Sequence, residues 1–229
     1  MEWRSYDELP EGMRHPEVKR YWEILEKRRA ALVIKRGFDV FFSALLLGLA
    51  ALPMLVIALM IVADSPGGAF YRQERVTQYG RRFRIHKFRT MRQDAESTGG
   101  AVTIDRDPRI TPIGAILRKY RLDELPQLID VLEGNMSFVG TRPEVPRYVK
   151  KYTREMRATL LLPAGITSEA SIEYKDEATL LNGAEDPDEV YIREILPEKM
   201  KYNLRSLEKF SLLREFGTML RTVQAVLQS

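Results

Sequence analysis

Residues 40–63 read VFFSALLLGLAALPMLVIALMIVA, twenty-four positions without a charge. As a straight helix the run would measure roughly 36 Å, against about 30 Å of bilayer hydrocarbon. Length alone predicts a transmembrane helix. The run begins after 39 mostly polar residues, too late for an ordinary cleavable signal peptide. Two features argue against a simple crossing. Pro53 lacks an N–H and crowds the preceding turn, so a kink is expected there. The halves, Val40–Leu52 and Met54–Ala63, are roughly 20 Å and 15 Å long, and neither crosses alone. The flanks are the second feature. Lys27, Arg28, Arg29, Lys35 and Arg36 precede the run, and Arg72, Arg75, Arg81, Arg82, Arg84, Lys87, Arg89 and Arg92 follow it. Basic flanks stay cytoplasmic, and both flanks demand that side. A re-entrant hairpin kinked at Pro53 satisfies both. A true span and a buried helix of a soluble core are the alternatives.

Working outward, residues 27–92 hold 13 Lys and Arg against Asp39, Asp64 and Glu74, a net of +10 in a chain of net +4. A basic block this local asks for an anionic partner: phospholipid, nucleic acid or a phosphorylated substrate. The 229 residues suffice for one good-sized domain with appendages. The 45% hydrophobic and 30% charged content excludes a disordered chain. The chain has no cysteine, which excludes a disulfide scaffold, a thiolate metal site and a cysteine nucleophile. With only His15 and His86, a multi-histidine zinc site is excluded too.

The pattern divides the chain into an N-terminal amphipathic segment (1–34), the re-entrant helix (35–66) and a cytoplasmic domain (67–229) that would carry any chemistry. Glu17–Val33 reads as one amphipathic helix with Val18, Tyr21, Trp22 and Leu25 on a face. That face either lies in the membrane interface, with Tyr21 and Trp22 at headgroup depth, or packs on the domain. Ser65–Gly68 is a turn. Ala69–Arg75 and Arg82–Phe88 alternate as short strands of a hairpin about Gln78–Gly80. Glu96–Asp107 reads as a polar loop and Ile113–Tyr120 as a short helix. Leu122–Glu133 has a helical apolar stripe, with Asp123 placed as N-cap, Pro126 in the first turn and Gly134 as the stop. A Gly/Pro-bearing loop covers 134–146, and Glu144–Leu162 reads as helical or partly so. Pro163-Ala164-Gly165 breaks the chain before helices at Glu189–Tyr202 and Ser206–Leu227. The fold class is α+β, mainly helical, with interfacial helices and a small β-hairpin.

Asp123-Glu124 is the acidic pair with most chemical promise. At a helix start, free N–H groups gather anions and their counter-ions. The plain alternative is an N-cap followed by a residue suited to the helix dipole. Arg118 and Arg121 lie just before the pair, and Gly140-Thr141-Arg142-Pro143 lies just past the same helix. Two carboxylates with several arginines suit phosphoryl transfer: the acids hold a hard cation or attack phosphorus, and the arginines offset phosphate charge. Each arginine taken alone is more often a solvated surface charge.

Four ordered blocks now stand out: Lys87-Phe88-Arg89-Thr90-Met91, Asp107-Pro108-Arg109-Ile110-Thr111-Pro112-Ile113-Gly114, Leu122-Asp123-Glu124-Leu125-Pro126-Gln127-Leu128, and Asn135-Met136-Ser137-Phe138-Val139-Gly140-Thr141-Arg142-Pro143. Together they resemble the bacterial sugar transferase family, the small monotopic phosphoglycosyl transferases, from about Lys35 to the C-terminus. The resemblance implies transfer of a sugar 1-phosphate from a UDP-sugar donor to a polyprenyl (undecaprenyl) phosphate acceptor, with Mg²⁺ or Mn²⁺. It implies Asp123 as nucleophile carrying a covalent phosphosugar after UMP leaves, and Glu124 as its partner, both able to hold the metal. Arg118 and Arg142 match phosphate-contacting positions, and Lys87 and Arg89 match the basic lead-in to the site. It also implies a phospholipid membrane as partner, at the cytoplasmic face of the bacterial inner membrane, and no nucleic acid; a homodimer is left open. The chain departs from the family pattern at Leu52, where a serine is usual, at Thr141 of Gly-Thr-Arg-Pro, and at Leu162, where an arginine is usual. Ser171–Glu177 resembles one subgroup without naming a sugar. A non-catalytic, membrane-anchored anion-binding module is the alternative function, as is a soluble nucleotide-binding enzyme, although no P-loop or Gly-x-Gly-x-x-Gly pattern is present.

Overall fold

The computed structural model describes residues 3–93, 95, 107–175, 177–181, 184 and 186–227. Most of the expected loop at 96–107 lies outside these residues. Helix α1 (Pro16–Glu26) is followed directly by α2 (Arg29–Asp64), so the single helix expected over Glu17–Val33 is in fact two. The chain breaks at Lys27-Arg28, and residues 29–33 belong to the long helix. Val18, Tyr21 and Leu25 of α1 are buried against Leu9, Met13, Ala158, Leu161, Leu207 and Phe210. The Tyr21 hydroxyl donates to Glu155 Oε1 at 2.7 Å, and Trp22 stacks on Trp3. Tyr21 and Trp22 therefore serve a protein core and not a headgroup layer: Trp22 is covered by Trp3 and Tyr6, and Tyr21 joins a cluster that draws on residues 155–210, a separation that local periodicity does not report.

Helix α2 runs without interruption through Pro53. It is long and apolar enough to cross a membrane, and only 6% of its apolar window is buried in the protein. Lys35, Asp39 and Ser43 recur every fourth residue and are buried on one face near its start. Lys35 Nζ donates to Val139 O at 3.0 Å and pairs with Glu215, and Asp39 Oδ1 accepts from the Phe138 amide at 3.2 Å. At the far end Ile61 packs on Phe88 and Leu117. Between these anchors Leu49, Leu52, Leu55 and Leu59 are more than half exposed.

Strands β1 (Phe70–Val76) and β2 (Arg82–Phe88) form the expected antiparallel hairpin, in register from Phe70↔Phe88 to Val76↔Arg82, with a 3₁₀ turn at Gln78–Gly80. Alternation sends Phe83 and Ile85 toward α4 (Gln127–Glu133), where they meet Leu128 and Val131. Lys87 is next on that face. Helix α3 (Pro112–Lys119) precedes this region, capped by the Thr111 hydroxyl, which accepts from Gly114 N at 3.0 Å.

A second two-stranded sheet was not foreseen. Strand β3 (Met136–Val139) pairs in parallel with β4 (Ala164–Thr167), in the stretches read as a loop and a chain break. Both strands are four residues long and buried on both faces, so they show no alternation. Gly140 and Gly165 meet at their ends. A Cβ on Gly165 would lie 2.1 Å from Gly140 N, so a side chain there would displace the loop that carries Arg142. Between the strands are α5 (Pro146–Val149) and a 3₁₀ segment, Met156–Leu161, the partly helical region expected. Short helices α6 (Glu169–Glu173) and α7 (Glu177–Leu180) lead to α8 (Pro187–Val190), a π turn at Tyr191–Ile195 and α9 (Leu196–Glu208). The last helix, α10 (Leu212–Leu227), begins six residues later than expected because Ser206–Glu208 end α9.

Candidate active site

The site lies where β2, the turn before α4 and the loop after β3 converge. Asp123 and Glu124 sit on one 3₁₀ turn, Leu122–Glu124, entered from Arg121 in the left-handed region at φ 56°. A non-glycine residue there carries local strain, which the packed surroundings sustain. Asp123 is not the N-cap that the sequence suggested: α4 starts at Gln127 with Pro126 in the cap position. Of the amides that such a cap would serve, Leu125 N is taken by the turn itself, donating to Leu122 O at 3.2 Å, and Pro126 has no N–H. Both carboxylates are buried, and among the described residues Asp123 Oδ1 has no hydrogen-bond partner.

Cations ring the pair. Lys87 Nζ lies 2.9 Å from Glu124 Oε1 and 3.9 Å from Asp123 Oδ2. Arg142 Nη2 donates to Glu124 Oε1 at 2.7 Å, and Arg121 Nη1 lies 4.0 Å away. Arg118 Nε donates to Thr90 Oγ1 at 2.8 Å, which steadies its guanidinium near Asp123. Burial pulls the Lys87 ammonium below its usual range, against the attraction of Glu124. Burial alone would raise Glu124, but Arg142, Lys87 and Arg121 hold it well below the usual carboxylate range. Asp123 goes the other way. Desolvation raises it, and Lys87 only partly offsets this while ionised Glu124 adds to it. The two adjacent acids are thus driven apart, one held ionised and the other made costly to ionise.

The geometry brings together Asp123, Glu124, Lys87, Arg118 and Arg142, five of the expected site residues. Arg89 is not among them. Its guanidinium donates to Pro66 O at 2.5 Å, Ser65 O at 2.7 Å and Ile61 O at 3.4 Å, closing the C-terminal end of α2. The Ser65 and Pro66 carbonyls lie just past the helix, while Ile61 O also accepts from Ser65 N at 3.2 Å; carbonyls at a helix end attract a cation. Thr90 was not singled out from sequence, and Arg121 was noted only as a neighbour. A hydroxyl that orients an arginine 28 residues away leaves no local pattern.

A cavity of about 440 Å³ opens beside the pair. Glu124, Arg142 and Lys175 line it together with Leu46 and Leu49 of α2 and Ala225 and Val226 of α10. A buried carboxylate pair ringed by cations, at the foot of a long apolar helix, defines a class of small α+β proteins. A family model for bacterial sugar transferases matches residues 30–229, and the chain belongs to that family. It is 33% identical over 197 residues to the UDP-N-acetylgalactosamine-undecaprenyl-phosphate N-acetylgalactosaminephosphotransferase of Aeromonas hydrophila, a match covering 85% of this chain and 44% of that protein. It is 35% identical over 196 residues to the UDP-glucose:undecaprenyl-phosphate glucose-1-phosphate transferase of Caulobacter vibrioides, covering 84% of this chain and 69% of the relative. With the exopolysaccharide production protein PSS of Rhizobium leguminosarum bv. phaseoli it shares 48% identity over 112 residues, 48% of this chain and 56% of that one. The match thus spans about half the length of the Aeromonas and Rhizobium relatives.

Proposed function

We propose that this chain transfers a sugar 1-phosphate from a UDP-sugar to a polyprenyl phosphate at the cytoplasmic face of a bacterial inner membrane. The observation that carries the reading is the buried Asp123 Oδ1, without a partner among the described residues, beside Lys87, Arg118 and Arg142. An oxygen left without a donor in a cationic pocket is available as a nucleophile. In the first step Asp123 attacks the β-phosphorus, the bond to the bridging oxygen breaks, and UMP leaves with the electron pair. In the second, an oxygen of the acceptor phosphate attacks the same phosphorus and Asp123 departs as carboxylate. Lys87, Arg118 and Arg142 offset charge on the phosphates in both steps. Glu124 is already ionised by its cations and keeps them poised around the reacting carboxylate. A divalent cation such as Mg²⁺ fits the orphaned Asp123 oxygen, with Glu124 as second carboxylate, and would supply further charge neutralisation at phosphorus. The relatives' names support donor and acceptor classes of this kind.

Membrane re-entry belongs to the same proposal. Lys35 and Asp39 at the start of α2 and Ile61 and Ser65 at its end are all bonded or packed against the one globular body. A straight crossing would part those ends by the thickness of the bilayer. The test is UMP release from a panel of UDP-sugars, with and without undecaprenyl phosphate, read beside the intact mass of the protein. Growth of one phosphosugar adduct on Asp123 in the absence of acceptor supports the reading. Donor-independent behaviour, or turnover in pure Asp123→Asn protein, ends it.

A further inference from the structure

We propose that His86 and Asp130 form a latch that sets Lys87 against Asp123 and Glu124, so that both are positioning residues for the reaction. This rests on the transfer reading above and adds what aims its lysine. In a two-stranded hairpin each strand keeps one open edge, and the backbone groups along it need other partners. At His86 that partner is Asp130, in the first turn of α4. Asp130 Oδ2 accepts from the His86 amide at 2.8 Å, and its Oδ1 lies 2.9 Å from His86 Nδ1. Facing an ionised carboxylate, that nitrogen carries the proton. Two bonds to one carboxylate thus hold one residue of β2, backbone and ring together, and fix both its distance and its rotation.

That residue precedes Lys87. Phe88, on the other side, is buried against Ile61 and Leu117, so the strand is pinned before and after the lysine. The acids that Lys87 meets lie on the turn that leads into α4, shortly before Asp130 in the chain. Strand β2 and the segment 122–133 are therefore tied twice: by His86 to Asp130, and by Lys87 Nζ to Glu124 Oε1 at 2.9 Å. The first tie governs how far Lys87 stands from Asp123 Oδ2, 3.9 Å in this arrangement. Asp130 is 0% exposed, and burial raises its pKa against the two His86 bonds, so a carboxylate is a costly way to fill this space. An apolar side chain would pack there more easily but could not grip a strand edge. What the charged group supplies is register, and misplacing a reacting group by about 1 Å can cost on the order of 100-fold in rate.

The test asks whether Asp130 acts through Lys87. The kcat for UMP release is measured in micelles for Asp130→Ala and Lys87→Met, singly and together. Asp130→Ala should lower kcat roughly tenfold in the wild-type background and less than about twofold where Lys87 is already replaced. Equal falls in both backgrounds overturn the latch and leave Asp130 a packing residue. Asp130→Asn keeps the shape: its Oδ1 can accept from the amide, and its Nδ2 can donate to a ring protonated on Nε2. Its kcat should therefore return to within about threefold of wild type. An Asn variant as slow as the Ala variant overturns the proposal, since geometry is then not what Asp130 supplies. If Asp130→Ala does not fold, His86→Phe, which keeps the amide bond, takes its place throughout. The expected fall is then about threefold, and equal falls in both backgrounds again overturn the latch. A second readout needs no turnover. Trace acetic anhydride competes Lys87 against the exposed Lys27, and the peptides are read by mass spectrometry. Lys87 should be acetylated at least about threefold faster in Asp130→Ala and at the wild-type rate in Asp130→Asn. An unchanged rate in Asp130→Ala overturns the latch. A wild type that turns over no UDP-sugar, yet shows this gain in labelling, overturns the transfer reading and leaves the latch standing.

Discussion

At Asp123 the structure separates chemistry from stability. Its raised pKa means that ionisation is costly in the folded state, so the stability tied to this group is greatest below the ordinary value of 3.8 and is lost as pH rises through the folded value. Asp123→Asn removes that cost and the nucleophile together. Turnover should fall by several orders of magnitude while the melting point at pH 8 stays level or rises, as UMP release and thermal denaturation will show. Wild-type kcat/KM should decline on acidification at a pH above 3.8, because the attacking carboxylate must be ionised. Glu124 has the opposite sign. Its depressed pKa contributes stability that is present above the ordinary 4.5 and is lost as pH falls through the folded value. Glu124→Gln should therefore erase part of the difference between melting points at pH 6 and in the acid range below 4.5. The five residues that meet in this site were legible because each stands in a short block with its own composition. Arg89 was misread for the same reason: its block borders the site, but its guanidinium turns to the end of α2, and sequence spacing carries no direction.

Elements were legible where periodicity or punctuation is local. The hairpin, α3, the stop at Gly134 and the long apolar helix follow from alternation, Pro and Gly. Strands β3 and β4 did not, because four residues buried on both faces have no contrast to read. The break at Lys27-Arg28 was hidden by continuous amphipathic patterning. Two substitutions test α2. Pro53→Ala restores the missing N–H, and a straight helix of this length can cross. A single cysteine introduced at residue 10, in a chain that has none, should then become partly inaccessible from the cytoplasmic side of inverted vesicles. If its labelling is unchanged, docking and flanking charge, and not Pro53, govern the topology. Arg89→Ala removes the charged donor to the part-buried Ser65 and Pro66 carbonyls and should cost about 2 kcal/mol in denaturant titrations in micelles. Activity should fall less steeply than for Asp123→Asn, since Lys87 is displaced only through the strand end.

Across the whole molecule, residues that precede the family match are part of its core. Leu9, Met13, Val18, Tyr21 and Leu25 fill the same cluster as Leu161 and Leu207. Burying five such side chains is worth about 10 kcal/mol, comparable with the entire stability of a domain. A chain starting at residue 28 should therefore aggregate or lose its cooperative melt even though it keeps every site residue, which expression in parallel with the full chain will show. The grip at both ends of α2 also has a consequence for synthesis. Arg89 reaches back 28 residues to Ile61, but Lys35 must wait for Val139, which is 104 residues downstream. At ribosomal speeds of about 5–20 residues per second the second delay is roughly 5–20 s. The exit end of the helix can thus be fastened early, while this bond at the entry end waits for a further 104 residues. Over that interval the long apolar helix is held by the Arg89 bond at its exit end, without this second anchor from the globular body.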